Sequence, residues 1–279
     1  MNKAGVEIML FGAISNSWRL QLENEDLADL VQIAQEKGSQ HVELRQTCLG
    51  NYESGEGDNW RPNLSKLEDL VTSFPRLAFD LAVALPCVTT KINPDGDLFQ
   101  SCLTAAKLVS KASPHLRTVD PNASVIPWES EDDIPETAFG LVELTRESAK
   151  QGVILSIENS GQPIHSMHIL VNAIRGRLTA EEGVYLGLCP DPTNQLRRHP
   201  DSHPLADLDA LPLDMIKIVH FKQARGGETY PSVSTGDLDC AKMLQILQQK
   251  QYDGPAIMEI PPHENVFDNL AESFTFLRS

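Results

Sequence analysis

The stretch Val153-Ile-Leu-Ser-Ile-Glu158, followed at once by Asn159-Ser-Gly-Gln-Pro163, sets the pattern for the whole chain. A short β-type run ends in a carboxylate, and turn-forming residues then hand over to a helical stripe at Met167–Ile174. The same order of events repeats outward in both directions. Strand-like runs at Val6–Phe11, Val42–Arg45, Leu77–Leu85 and Leu116–Val119 precede it, and Val184–Leu188, Ile216–Phe221 and Ala256–Ile260 follow. Helical stripes fill the gaps. Leu27, Leu30, Val31 and Ala34 stand at i, i+3, i+4 and i+7, with Gly38 as the stop. Further stripes run over Leu64–Leu70, Leu98–Val109, Phe139–Ala149, Leu205–Leu211 (the weakest), Met243–Leu247 and Val266–Leu277. Eight strands alternating with eight helices predict a parallel sheet, and eight such units close into a (β/α)8 TIM barrel of the α/β class.

Length agrees with that reading. A single barrel needs about 250 residues, and the 279 residues show no linker, so one domain is expected over 1–279. Connections from helix to strand are brief (36–40, 150–152, 251–255). Those from strand to helix are long and rich in Gly, Pro and polar residues (46–63, 121–135, 192–204, 223–237). In a βα barrel all strand-to-helix loops share one end, so this chain elaborates the end where barrel enzymes build their sites.

Polar residues fall at that same end. Glu158 closes its strand; Asp191 follows an apolar run just before Pro192. Ile216, Ile218 and His220 alternate onto one side of the seventh strand, and Ile257 and Glu259 do so on the eighth. Taken singly, each carboxylate has an ordinary explanation as a cap or an ion-pair partner. Four consecutive strand ends carrying possible ligands are more specific. Carboxylates 4 Å apart repel by about 4 kcal/mol at an effective dielectric near 20, so such a cluster takes up protons or holds a cation. Glu158, Asp191, His220 and Glu259 are therefore read as one divalent-metal site. One imidazole with three carboxylates suits Mn²⁺ first, with Mg²⁺, Co²⁺ or Zn²⁺ also admitted.

At six places the chain resembles the xylose isomerase-like TIM barrels, the sugar-phosphate isomerase/epimerase family. They are His41-Val-Glu-Leu-Arg45, Leu155-Ser-Ile-Glu-Asn159, Leu188-Cys-Pro-Asp-Pro-Thr-Asn194, Ile218-Val-His-Phe-Lys222, Gly236-Asp-Leu-Asp239 and Tyr252-Asp-Gly-Pro-Ala-Ile-Met-Glu259. The resemblance implies the same four ligands. It also implies that Glu158 and Glu259, on opposite sides of a substrate, act as the catalytic acid/base pair. Two positions depart from the family's pattern. Asn194 stands where many of the epimerases carry histidine, and His220-Phe-Lys222-Gln223 lacks the common aspartate after the lysine. The many extra histidines of the DNA-repair branch are missing too.

A metal at this position polarises a carbonyl and a neighbouring hydroxyl, which stabilises an enediolate. Isomerisation or epimerisation of a small ketose or keto-sugar acid is the default expectation. A lyase (decarboxylase or dehydratase of a 3-oxo sugar acid) passes through the same electron sink, and a non-catalytic sugar-binding barrel is the rival outside enzymes. Glu43 and Arg45 alternate onto one face of the second strand, Arg117 lies in the fourth, Lys222 ends the seventh, and Arg225 lies just beyond. An arginine facing the interior is costly unless paired, so Arg45 either bridges Glu43 or another acid, or meets an anionic ligand. Glu43, Arg45, Arg117, Asn194, Lys222 and Arg225 are thus the expected substrate contacts. Tyr52, Trp60, Trp128 and Tyr230, in the long loops, are candidates to wall a sugar ring. Cys189 shares Asp191's face and reads more simply as small core.

Composition narrows the partners. The formal net charge is −16, which disfavours nucleic acid. No apolar run is long enough to span a bilayer, and the apolar N-terminus lacks a signal-peptide cleavage site. Five scattered cysteines with no C-x-x-C pair suggest a reduced, cytoplasmic protein. A small sugar or sugar acid is the expected partner, and a homo-oligomer is compatible.

Overall fold

The computed structural model describes residues 9–110 and 112–279. Eight strands make one sheet: β1 (Leu10–Ile14), β2 (His41–Arg45), β3 (Ala78–Ala84), β4 (His115–Val119), β5 (Ile154–Glu158), β6 (Leu186–Cys189), β7 (Val219–Phe221) and β8 (Pro255–Met258). Every pairing within it is parallel, in the order β6-β5-β4-β3-β2-β1-β8-β7. The remaining gap is bridged by a parallel contact between Leu188 and Ile216, with Lys217 N donating to Leu188 O at 3.0 Å and His220 N to Pro190 O at 3.2 Å. The sheet thereby closes on itself, as eight βα units require.

The helices form the outer ring: α1 (Leu27–Glu36), α2 (Leu64–Ser73), α3 (Asp97–Val109), α4 (Leu141–Gln151), α5 (Ile164–Arg175), α6 (Pro192–Arg198), α7 (Pro204–Ala210), α8 (Cys240–Gln249) and α9 (Val266–Arg278). In α1 the expected stripe of Leu27, Leu30, Val31 and Ala34 is the buried face, and the Asp26 side chain caps the first turn through Ala28 N. None of the described helices is long and apolar enough to cross a membrane.

Several boundaries moved. Val6–Ile8, expected in the first strand, lie outside the described residues. The sixth strand starts at Leu186, because Thr179 and Glu182 form a capping box around the one-turn helix Ala180–Gly183 and leave Val184 exposed. The ladder of the seventh strand is confined to Val219–Phe221. The expected loop 192–204 contains α6, started by the Asp191 N-cap and Pro192 in the first turn. The loops 46–63 and 223–237 each hold a two-stranded antiparallel ribbon, Glu53–Ser54 with Arg61–Pro62 and Gln223–Arg225 with Glu228–Tyr230.

The core divides in two. A large apolar sleeve fills the space between sheet and helices, while Ile14, Cys189, Ile218 and Ile257 form a small separate plug inside the barrel. Cys189 is thus core, as its size suggested. Around that plug the interior is polar, where barrels ordinarily carry Val, Ile and Leu. Glu43, Asp80, Arg117, Ser156 and His220 are all at most 1% exposed. Gly12 makes the close approach of β1 to β2 possible, since a Cβ there would lie 2.5 Å from His41 O.

Candidate metal centre

Glu158 ends β5, Asp191 caps α6 just after β6, His220 lies in β7, and Glu259 follows β8 directly. One ligand atom from each lies within 4.8 Å of the others. The sequence-based cluster is therefore assembled in space. Backbone bonds aim its members: Glu259 N donates to Phe221 O at 2.9 Å. The Asn159 amide clamps Asp191, accepting from Asp191 N at 2.7 Å and donating to Asp191 O at 2.9 Å.

The imidazole orientation fits a metal. His220 Nε2 faces Glu43 Oε2 at 3.0 Å, so a proton on Nε2 leaves the Nδ1 lone pair turned toward the cluster. There Nδ1 lies 3.1 Å from Glu259 Oε2 and 3.6 Å from Glu158 Oε1. Asp191 Oδ2 is fully buried and makes no well-directed hydrogen bond, although the Lys222 ammonium sits 2.8 Å away. Three hard oxygen donors and one imidazole nitrogen match a divalent cation.

Charges offset one another across the barrel. Arg117 grips Glu43 through two bonds of 2.8 and 3.1 Å and reaches Glu158 Oε2 at 2.8 Å. Lys222 Nζ touches Asp191, Glu259 Oε2 at 2.6 Å and Asn194 Oδ1 at 3.1 Å. Burial pushes the Glu158 and Glu259 carboxyls up, but Arg117 for the first and Lys222 for the second more than offset it, so both end below the usual range. Asp191 goes the other way, raised by burial despite Lys222. Burial opposes charge on His220, yet the surrounding Glu43 and Glu158 carboxylates raise it well above the usual imidazole value.

The expected substrate contacts separate into groups. Asn194 joins the cluster, donating to Glu158 Oε1 at 2.9 Å. Lys222 joins it too. Glu43 and Arg117 sit beneath it, 0% and 1% exposed, with no surface to offer a substrate. Glu43 pairs with Arg117 and His220, and Arg45 forms no bridge to it. Arg45 instead donates to Gln46 O at 3.0 Å and stays half-buried at the end of β2. Arg225 is exposed in the ribbon after β7, stacked over the Tyr230 ring at 4.3 Å and apart from the cluster. Of the loop aromatics, Trp60 is fully buried on Glu53, Tyr52 donates to Asp26 at 2.8 Å, and Trp128 is buried. They hold loops together. Gln223 likewise bonds Leu238 O and N at 2.8 and 2.9 Å, fixing the loop where the family's aspartate is missing.

Asn16 escaped sequence reasoning. It follows β1, and its Nδ2 donates to Glu259 Oε1 at 2.8 Å. Nothing in the run Ser15-Asn-Ser-Trp18 marks it out. Only the pairing of β1 with β8 brings it to Glu259.

A comparison with solved structures finds the same fold repeatedly. The IolI protein with a bound zinc atom aligns at TM-score 0.65 and 15% identity, covering 97% of this chain and 95% of that one. The probable 3-DHS dehydratase AsbF from Bacillus anthracis aligns at TM-score 0.71 and 14% identity, covering 97% and 99%. D-allulose 3-epimerase from Methylomonas sp., in complex with D-allulose, aligns at TM-score 0.67 and 14% identity, covering 98% and 97%. No curated protein sequence matches. The profile of one family matches residues 4–279, nearly the whole chain. The chain belongs to the xylose isomerase-like TIM barrels.

Proposed function

We propose that the protein is a divalent-metal-dependent enzyme that enolises a small ketose or keto-sugar acid, with isomerisation or epimerisation as its outcome. The observation that carries this reading is the convergence of Glu158, Asp191, His220 and Glu259 within 4.8 Å. When bound, the cation (Mn²⁺ as first choice) would act as a Lewis acid toward the substrate's carbonyl and adjacent hydroxyl. The chain's own residues handle the protons. Glu259, the most exposed of the four at 14% of its side chain, faces an arriving substrate, with Asn16 and Lys222 fixing its two oxygens. Glu158 stands across the cluster, held by Arg117 and Asn194. Of these two, one, as the carboxylate, takes the proton α to the carbonyl, and the other, entering the cycle as the protonated acid, returns one on the opposite face.

A lyase is the second reading, favoured by Asn194. An amide cannot carry the proton that a histidine at this place could, and a β-keto acid that sheds carbon dioxide forms its enolate in that same step, with no proton to be removed. All five cysteines are free and buried, which is consistent with a cytoplasmic setting.

Incubating the metal-loaded protein with candidate ketoses and keto acids in deuterium oxide tests both. Deuterium at the carbon next to the carbonyl, without carbon loss, is the expected result. Carbon dioxide or an unsaturated product selects the lyase. If no divalent metal binds stoichiometrically to protein purified without chelator, the enzymatic reading fails.

A further inference from the structure

Among the described residues, Arg45 at the end of β2 forms no ion pair with the carboxylates of the candidate centre. It lies two residues after Glu43, on the same face of β2, where burial and Arg117 oppose its charge and Glu158 and Glu259 favour it. Yet among the described residues no carboxylate comes within 4.0 Å of its guanidinium, which donates instead to the backbone oxygen of Gln46. This happens in a chain with 39 acidic and 23 basic residues. With a dication in place, the carboxylates of Glu43, Glu158, Asp191 and Glu259 are balanced by that ion, Arg117 and Lys222. The charge of Arg45 is then left over. Arg19, exposed on the turn after β1, is linked to Arg45 through one residue: its Nε contacts Cys48 Sγ at 3.1 Å, while Cys48 N donates to Arg45 O at 3.0 Å. Arg19 also has no carboxylate within 4.0 Å among the described residues.

We infer that Arg45, backed by Arg19, binds an anionic group of the substrate, so that the site takes a sugar acid or sugar phosphate in preference to a neutral ketose. A partly desolvated guanidinium presents a planar fork that matches carboxylate and phosphate oxygens. Arg117 cannot serve, being enclosed, and Lys222 is committed to Asp191 and Glu259. The inference rests on the metal-centre reading for where the substrate lies, and it adds the substrate's charge class.

Titration calorimetry on manganese-loaded protein is the test, with D-fructose, D-fructose 6-phosphate and 2-keto-D-gluconate as probes. One anionic probe should bind about ten-fold or more tighter than D-fructose, and which one distinguishes phosphate from carboxylate. Arg45→Met should abolish that preference, bringing the anionic probe down to the affinity of D-fructose measured with the same variant, and Arg45→Lys should keep part of it. Equal binding of all three probes, or a preference that survives Arg45→Met in protein of unchanged melting temperature, overturns the proposal. Manganese stoichiometry, measured separately by chelator competition, reports on the metal-centre reading alone.

Discussion

His220 Nε2 and Glu43 Oε2 meet at 3.0 Å on the side of the ring turned away from the ligand cluster. They come from β7 and β2, separated by 177 positions in sequence, and the contact decides which ring nitrogen faces the cluster. A carboxylate behind a ligating histidine fixes the tautomer and raises the basicity of the other nitrogen.

Glu43→Gln should therefore weaken metal binding by about ten- to a hundred-fold, the range seen when such outer partners are changed. Chelator competition measures it. An unchanged affinity in folded protein would show that Glu43 serves only to neutralise Arg117.

Arg117 joins Glu43 to Glu158 with all three enclosed. Replacing it with methionine leaves two buried carboxylates short of a counter-charge, and breaking a buried ion pair from one side costs about 3–5 kcal/mol. Urea unfolding of Arg117→Met should show a loss of that size. A loss below about 1 kcal/mol would mean that these carboxylates take up protons or water at little cost.

Lys222 shares its ammonium between Asp191 and Glu259. Because a cation bound to the same oxygens has to contend with that charge, Lys222→Met should bind divalent metal more tightly than the wild type. The metal-free variant should also melt at a lower temperature than metal-free wild type, since the carboxylates then repel unopposed. Thermal scans with and without chelator give both numbers. Weaker metal binding by the variant would contradict this account.

At the opposite end of the barrel, Asp80 lies between two imidazoles, 2.7 Å from His41 Nε2 and 3.1 Å from His115 Nδ1, beside a cavity of about 440 Å³. Burial raises its pKa, but His41 and His115 outweigh that and hold it well below the usual carboxylate range. The folded state thus keeps Asp80 ionised at pH values where the unfolded chain has taken up a proton. Its contribution is complete above the unfolded carboxylate value of about 4 and fades as pH falls from there toward the depressed folded value. In acid denaturation, Asp80→Asn should lose stability less steeply below about pH 4 than wild type, though starting from a lower value at pH 7. Parallel curves would remove Asp80 from the acid response.

What could be read from the chain, and what could not, divides by distance along it. Glu158, Asp191, His220 and Glu259 were legible because each interrupts or ends an apolar run, a local signal repeated on neighbouring strands. The grip of Arg117 on Glu43 was not, because it spans 74 positions and depends on register across β2, β3 and β4. Two inward residues on one strand, Glu43 and Arg45, looked like natural partners. Yet an arginine two strands away reached the glutamate instead. The Asp191-Pro192 start of α6 was present as a cap signal, but the prolines and polar residues around it resembled a loop. Trp60 and Tyr52 misled for a related reason: a large aromatic in a long loop pins that loop to the body as readily as it lines a pocket.

The Lys222 ammonium also bears on the order of events in making the protein. With a positive charge of its own already seated among the ligands, the chain can close its barrel before any ion arrives. A cation loading afterwards would join a finished scaffold, with the ammonium yielding direct contact with the shared oxygens while staying beside them. Closure of the barrel would then not wait on the supply of metal in its surroundings.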